Sequence, residues 1–404
     1  MIKIRSFISL EEAVDILDSY IENLGKEEVP LLKGVKRIIG EDVHSKIDNP
    51  PFNKSAMDGY AVIAEDTMQR DISLKVIDEV FAGYSCTSEV TSGTAIKIMT
   101  GAPIPKGANV VIKQEDVTIE DNYIKLNKTV NLNENVCFKG EDIQEGSLLI
   151  SKNKKLNYAD IGILASSGIS KIKVYKTPKV AFISTGDEVV DIDEDLGYGK
   201  IYNSNKYSIL GRLEELNYEV SYISHEKDSA IKIGEEIKKA SNISDLIITT
   251  GGASVGEKDL IKEAIDSIGG EKVFWKVKIK PGSAIVCSRF NNKLIISLSG
   301  NPTAALTTFE LLVRTILEKL SGSEKVEIKR EKAILMNDYL KKSPQRKFLR
   351  GEVLCNERGQ NVFLTQFKSG NGILSSTLNS NCLIEIGENN DEIKKGTLVD
   401  IIKF

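Results

Sequence analysis

From Pro178 onward, short apolar runs alternate with helical patterns, and this alternation restricts the fold more than any other feature. "KVAFIST", "YEVSYIS" and "DLIITT" read as strands. "SNKYSILGRLEELN", "SAIKIGEEIKKAS" and "KDLIKEAIDSIG" follow them as helices. Strands that are apolar almost throughout are buried on both faces, as in a parallel sheet covered by helices. "VFWKVKIKPG" and "AIVCSRFNNKLIISLSG" add strands, with Asn291–Asn292 as a hairpin turn, and "TAALTTFELLVRTILEKL" closes the pattern with a long helix. The span 178–327 therefore reads as one doubly wound α/β domain.

The flanks differ. Ser9 and Glu12 fit a capping box, and Leu10, Ala13, Val14, Leu17, Ile21 and Leu24 fall on one helical face. Residues 48–140 begin with "NPPFNKSAMDGYAV" and continue as short β-branched runs between Gly- and Pro-bearing turns, which predicts a β-rich domain. Residues 141–177 return to helix at "NYADIGILASSG". We expect them to pack against the N-terminal helix, so that 1–47 with 141–177 form a helical and extended linking domain with 48–140 inserted. Residues 328–404 read as a small β-barrel or sandwich. The expected class is multidomain, α/β plus β.

Composition narrows the function. The chain has 404 residues, 41% of them hydrophobic, and a net charge of −4, without the basic excess of a general nucleic-acid binder. No run approaches the ~18 apolar residues of a membrane span, and Glu11, Glu12 and Asp15 stand where a signal peptide would be apolar. Five scattered cysteines without a CxxC pair point to a reducing, cytoplasmic setting. With only two histidines, His44 and His225, the chemistry falls to carboxylates, lysines or a hard cation.

Ligands of open α/β sheets bind beyond the carboxyl ends of the strands. Four such ends carry unusual residues: "STGDEVV", "SHEKDS", "TTGGASVGEKD" and "LSGNPTAA". Thr250, Gly251, Gly252 and Ser254 offer backbone N–H groups without bulky side chains, an arrangement suited to phosphate. Neither a Walker A loop nor a GxGxxG fingerprint is present. The acids Glu188, Asp228 and Asp259 in these loops suit Mg²⁺, which is held by one or two carboxylates plus substrate phosphates. Asp187 and Glu257 stand next to these acids in the same loops. Period two puts Lys276, Lys278 and Lys280 on one strand face, and Arg346 and Arg350 add guanidinium groups suited to oxyanions.

These strings, together with "MTGAPIPKGANVVI", "GEDI", "YNSN", "KIKPG" and "FLRG", resemble the molybdopterin molybdenumtransferase family, the MoeA proteins and the gephyrin E-domain. The resemblance spans essentially the whole chain. It implies insertion of molybdate into adenylylated molybdopterin with release of AMP, assisted by Mg²⁺, in a four-domain homodimer. It also implies contact with a molybdopterin adenylyltransferase. By that resemblance Thr250, Gly251, Gly252, Ser254 and Gly256 bind the pterin and its phosphates, with Ser299, Gly300, Asn301, Pro302 and Asp142 as further substrate contacts. Glu188, Asp228 and Asp259 lie near metal and nucleotide. Lys276, Lys280 and Arg350 face phosphate or molybdate. Asp58 and Thr100 reach the partner subunit's site.

Three departures stand out. Ser299 replaces the family's proline, Cys137 and Phe138 precede "GEDI" where arginine is common, and Asn371 stands for a serine paired with the arginine matching Arg350. Two other readings remain: an adenylyltransferase acting on molybdopterin and ATP, and a non-catalytic scaffold.

Overall fold

The computed structural model describes residues 5–68, 72–252, 260–357, 359–365, 373–389 and 392–404. The chain divides into two compact units, Glu28–Val174 and Met1–Glu27 with Tyr175–Phe404.

In the larger unit the alternation becomes a seven-stranded sheet. Its elements are β1 (Arg5–Ile8), α1 (Leu10–Tyr20), β2 (Lys179–Thr185), α2 (Ser204–Glu215), β3 (Glu219–Glu226), α3 (Ala230–Ser241), β4 (Leu246–Thr250), α4 (Leu260–Ser267), β5 (Glu271–Val277), β6 (Val286–Phe290) and β7 (Lys293–Leu298). The strand order is β1-β5-β6-β7-β4-β2-β3. The sheet is not wholly parallel: β6 runs against both β5 and β7. Asn291 and Asn292 cause this, since both adopt positive φ (47° and 62°), the backbone of a tight hairpin that asparagine tolerates. Apolar clusters cover both faces. One holds Phe182, Ile248, Phe274 and Phe309, the other Ile183, Ile247, Ile237 and Ile265.

The closing helix starts at Pro302, capped by Asn301, and loosens to a π-helical stretch over Phe309–Val313 before ending at Leu320. Just before the π stretch the Thr307 and Thr308 hydroxyls donate to the carbonyls of Thr303 and Ala304, four residues back. Such back-bonding competes with the regular ladder and bends helices.

Sequence reasoning placed the N-terminal helix wrongly. α1 packs on the α/β core through Leu10, Ala13, Ile16 and Leu17, and β1 extends the sheet beside β5. Asp18 also accepts from Lys319 Nζ at 2.6 Å and from Val326 N at 2.6 Å. Spacing showed that α1 has an apolar face but not what covers it. The piece that packs with 141–174 is instead residues 29–43, through Val29 and Ile39 against Ile150, Leu156 and Leu164. Asn157 and Asp160 form the capping box of the Tyr158–Ser166 helix there.

A six-stranded sheet fills the middle of the smaller unit. Its order is Val110–Lys113, Gly59–Val62, Thr94–Ile98, Ser73–Val80, Tyr123–Leu126, Val117–Glu120. The C-terminal region closes a five-stranded barrel from Glu331–Leu335, Lys347–Asn356, Gly359–Leu364, Cys382–Ile386 and Leu398–Lys403. The barrel is joined to the α/β domain by main chain: Lys280 N donates to Arg346 O and Phe348 N to Lys280 O, each at 2.9 Å. Among the described residues no helix is long and apolar enough to cross a membrane.

Candidate active site

Strands β7, β4, β2 and β3 are adjacent and mutually parallel, so their four carboxyl ends form one continuous edge. These are the four ends singled out above. The turn after β4 lies against the turn after β2. A Cβ on Gly251 would stand 2.3 Å from Thr185 O, and φ there is +88°. On the other side, a Cβ on Gly300 would sit 3.6 Å from Gly251 Cα. Gly251 is thus required by its protein neighbours, a reason that an argument from ligand access alone did not supply. Ser254, Gly256 and Asp259, together with Glu257, lie outside the described residues.

Three carboxylates gather on the β2–β3 side. Asp228 N donates to Asp187 Oδ1 at 3.4 Å, and the Glu188 carboxylate folds back over Gly186. Partial burial raises the Asp228 carboxyl above its usual range, and the charges of Asp187 and Glu188 add to the effect. Below them, Ser184 Oγ accepts from Asn203 Nδ2 at 2.9 Å and meets His225 Nδ1 at 3.0 Å. Asn203 also caps α2 through Lys206 N. Asn205 Nδ2 donates to Gly300 O at 2.8 Å, tying α2 to the turn after β7.

On the β7 side, a cavity of about 240 Å³ is bounded by Lys280, Pro281, Ser283, Ser299, Asn301 and Gln345, among others. Ser299 Oγ accepts from Asn301 N at 3.2 Å, and Asn301 Oδ1 accepts from Thr303 N at 3.1 Å. Pro302 is the first residue of that helix. Gln345 was not foreseen. The barrel linkage at Lys280 brings it into this wall, and no local sequence pattern marks it.

The lysines do not share one face. β5 ends at Val277, and Lys276 takes φ 61°, which breaks the alternation. Lys276 Nζ lies 4.0 Å from the Trp275 ring centroid, Lys278 Nζ 5.6 Å from that of Phe7, and Lys280 borders the cavity. Arg346 is not available to an oxyanion, because Glu385 and Glu11 neutralise it. Arg350 is buried, with its guanidinium 5.2 Å from the Phe404 ring and, among the described residues, no hydrogen-bond partner at Nε or Nη2. Burial lowers it to about 10. It is still a cation at neutral pH. Asn371 lies outside the described residues.

In the smaller unit, Asp58 Oδ1 accepts from both the Thr100 N–H and hydroxyl, each at 2.7 Å, which holds the carboxyl below its usual range. Asp142 Oδ2 accepts from Asn49 Nδ2 at 3.0 Å.

Known proteins match the chain along nearly its whole length. Residues 8–168 match the MoeA N-terminal region (domain I and II), 181–319 the probable molybdopterin binding domain, and 332–404 the MoeA C-terminal region (domain IV). A molybdopterin molybdenumtransferase of Staphylococcus aureus is 34% identical over 98% of this chain and 96% of its own. The chain belongs to the MoeA family. Another relative of the same name, from Haemophilus influenzae, is 35% identical over 94% of each chain. The solved MoeA structure from Pyrococcus horikoshii OT3 superposes with a TM-score of 0.80 at 33% identity, over 98% of this chain and 100% of that one. As a MoeA-family protein the chain combines the α/β sheet with the closed C-terminal barrel. It is a multidomain fold of the class expected from its sequence.

Proposed function

We propose that this chain is a molybdopterin molybdenumtransferase that takes adenylylated molybdopterin and molybdate and yields molybdenum cofactor and AMP. The observation that carries this reading is the continuous β7-β4-β2-β3 edge. It sets a small-residue turn between carboxylates on one side and the Lys280 cavity on the other. A substrate with a phosphoanhydride between two heterocycles suits such a site.

Glu188 and Asp228 fit a divalent cation. Partial burial raises the Asp228 carboxyl, the charges of Asp187 and Glu188 add to this, and a cation would relieve that cost. With two carboxylates, Mg²⁺ would be completed by substrate phosphates and water. Asp259 is the expected third acid. Bound there, Mg²⁺ would neutralise charge on the phosphates. The chain's own residues do the rest. The turn after β4 offers N–H groups to phosphate, Lys276 and Lys280 hold anionic oxygens, and Arg350 supplies a fixed positive charge. Water adds to the adenylyl phosphorus, the anhydride bond breaks, and AMP departs with the new oxygen. Positioning supplies much of the rate.

Asp58 and Thr100 are assigned to the site of a partner subunit in a homodimer, and Asp142 to substrate. In single turnover with molybdate and Mg²⁺, Asp259→Asn should release AMP far more slowly. Unchanged kinetics would remove Asp259 from the mechanism. Release of pyrophosphate from ATP, in place of AMP from the adenylylated substrate, would favour the adenylyltransferase reading.

A further inference from the structure

We propose that Lys262, Trp275 and Lys276 form an anion clamp that binds a phosphate group of the substrate, with Lys262 as a binding residue for the reaction. This inference rests on the transferase reading. Lys262 lies in the first turn of α4, directly after the turn that follows β4, and Trp275 and Lys276 lie at the carboxyl end of β5. All three therefore stand at the ligand edge of the sheet.

The geometry is specific. Lys262 Nζ is 3.0 Å and Lys276 Nζ 4.0 Å from the centroid of the same indole ring. The two nitrogens can be no further apart than the sum of those distances, within the span of a bridging phosphate or diphosphate. An indole face attracts ammonium groups and fixes where they point. An ammonium has three N–H donors, so one that rests on a ring and also meets another group keeps a donor for an oxyanion.

Lys276 is the more telling partner. It holds a left-handed backbone although it is neither Gly nor Asn. Residues kept in such conformations concentrate at ligand sites, because the surrounding structure must enforce them. Its ammonium makes no ion pair with any described residue. The strain turns Lys276 out of the strand alternation, and its ammonium lies on the ring that Lys262 also meets.

Trp275 is the only tryptophan, so its emission reports this site alone. AMP and inorganic pyrophosphate serve as probes, with adenosine as the uncharged control. In the wild-type protein, AMP and pyrophosphate should change Trp275 emission saturably, and adenosine should not. By calorimetry, Lys262→Met should raise the Kd for pyrophosphate by about 10-fold, the worth of one charge-assisted hydrogen bond. Lys262→Arg should stay near wild type, and so should Lys278→Met, which changes a lysine set over Phe7. An unchanged Kd in folded Lys262→Met overturns the clamp. If that variant does not fold, the wild-type titration decides: calorimetric saturation without any change in Trp275 emission overturns it equally. Both measurements precede chemistry, so AMP release with molybdate tests the transferase reading separately.

Discussion

Glu310 and Arg212 meet at 2.7 Å between α2 and the π-helical stretch, both largely withdrawn from water. Arg314 approaches the same carboxylate at 3.4 Å, and the nearby Glu310 charge favours the charged form of Arg350. One buried acid thus serves several guanidinium groups where the closing helix meets α2. Glu310→Gln should cost about 3 kcal/mol of stability, because Arg314 loses its buried counter-charge and Arg212 keeps only the exposed Glu215 carboxylate. A shift in denaturant midpoint at unchanged slope measures this.

Arg350 invites the opposite test. Two of its nitrogens are buried without partners among the described residues, an arrangement that disfavours the folded state. Arg350→Met should be no less stable than wild type in thermal unfolding, yet should need far more molybdate for half-maximal AMP release. Stability and activity would then move apart, as expected where a strained group is kept for function.

Gly251 has no room for a side chain. Gly251→Ala would drive a Cβ into Thr185 at positive φ, so we expect a loss of about 2 kcal/mol or more, with reduced substrate affinity.

The acids at the β2–β3 edge predict a pH dependence. A carboxyl raised in the folded state binds a proton more readily there than in the unfolded chain. Its penalty is therefore absent below 3.8 and grows as pH rises through the raised folded value. Without divalent cation, Asp228→Asn should melt higher than wild type at neutral pH, and the difference should shrink toward pH 3.8. Adding Mg²⁺ should stabilise the wild type and stabilise Asp228→Asn less. Equal Mg²⁺ responses would take Asp228 out of the cation site.

The layout of strand ends was legible because local pattern fixes parallel β-α-β units, and parallel units put their carboxyl ends on one edge. The Asn291–Asn292 hairpin was legible for a similar reason, since two residues determine the turn. Long-range contacts were not. The apolar face of α1 could have met any surface, Gln345 reaches the cavity only through the barrel linkage, and Arg346 looks like an anion ligand until Glu11 and Glu385 are seen beside it. Lys276 shows a further limit. Period two in "KVKIK" suggested one face, but a single left-handed residue removes it from the row.

The docking of β1 beside β5 also has a consequence for the order of synthesis. β1 is hydrogen-bonded to a strand that follows after about 270 residues, and the whole smaller unit is made in between. At ~5–20 residues per second, β1 and α1 wait on the ribosome for ~15–50 s before their partner exists. For that interval the apolar side of α1, with Leu10, Ala13 and Leu17, has no finished sheet to cover it. The nascent chain is then open to chaperone capture at β1 and α1, while the smaller unit, complete by Val174, is free to fold.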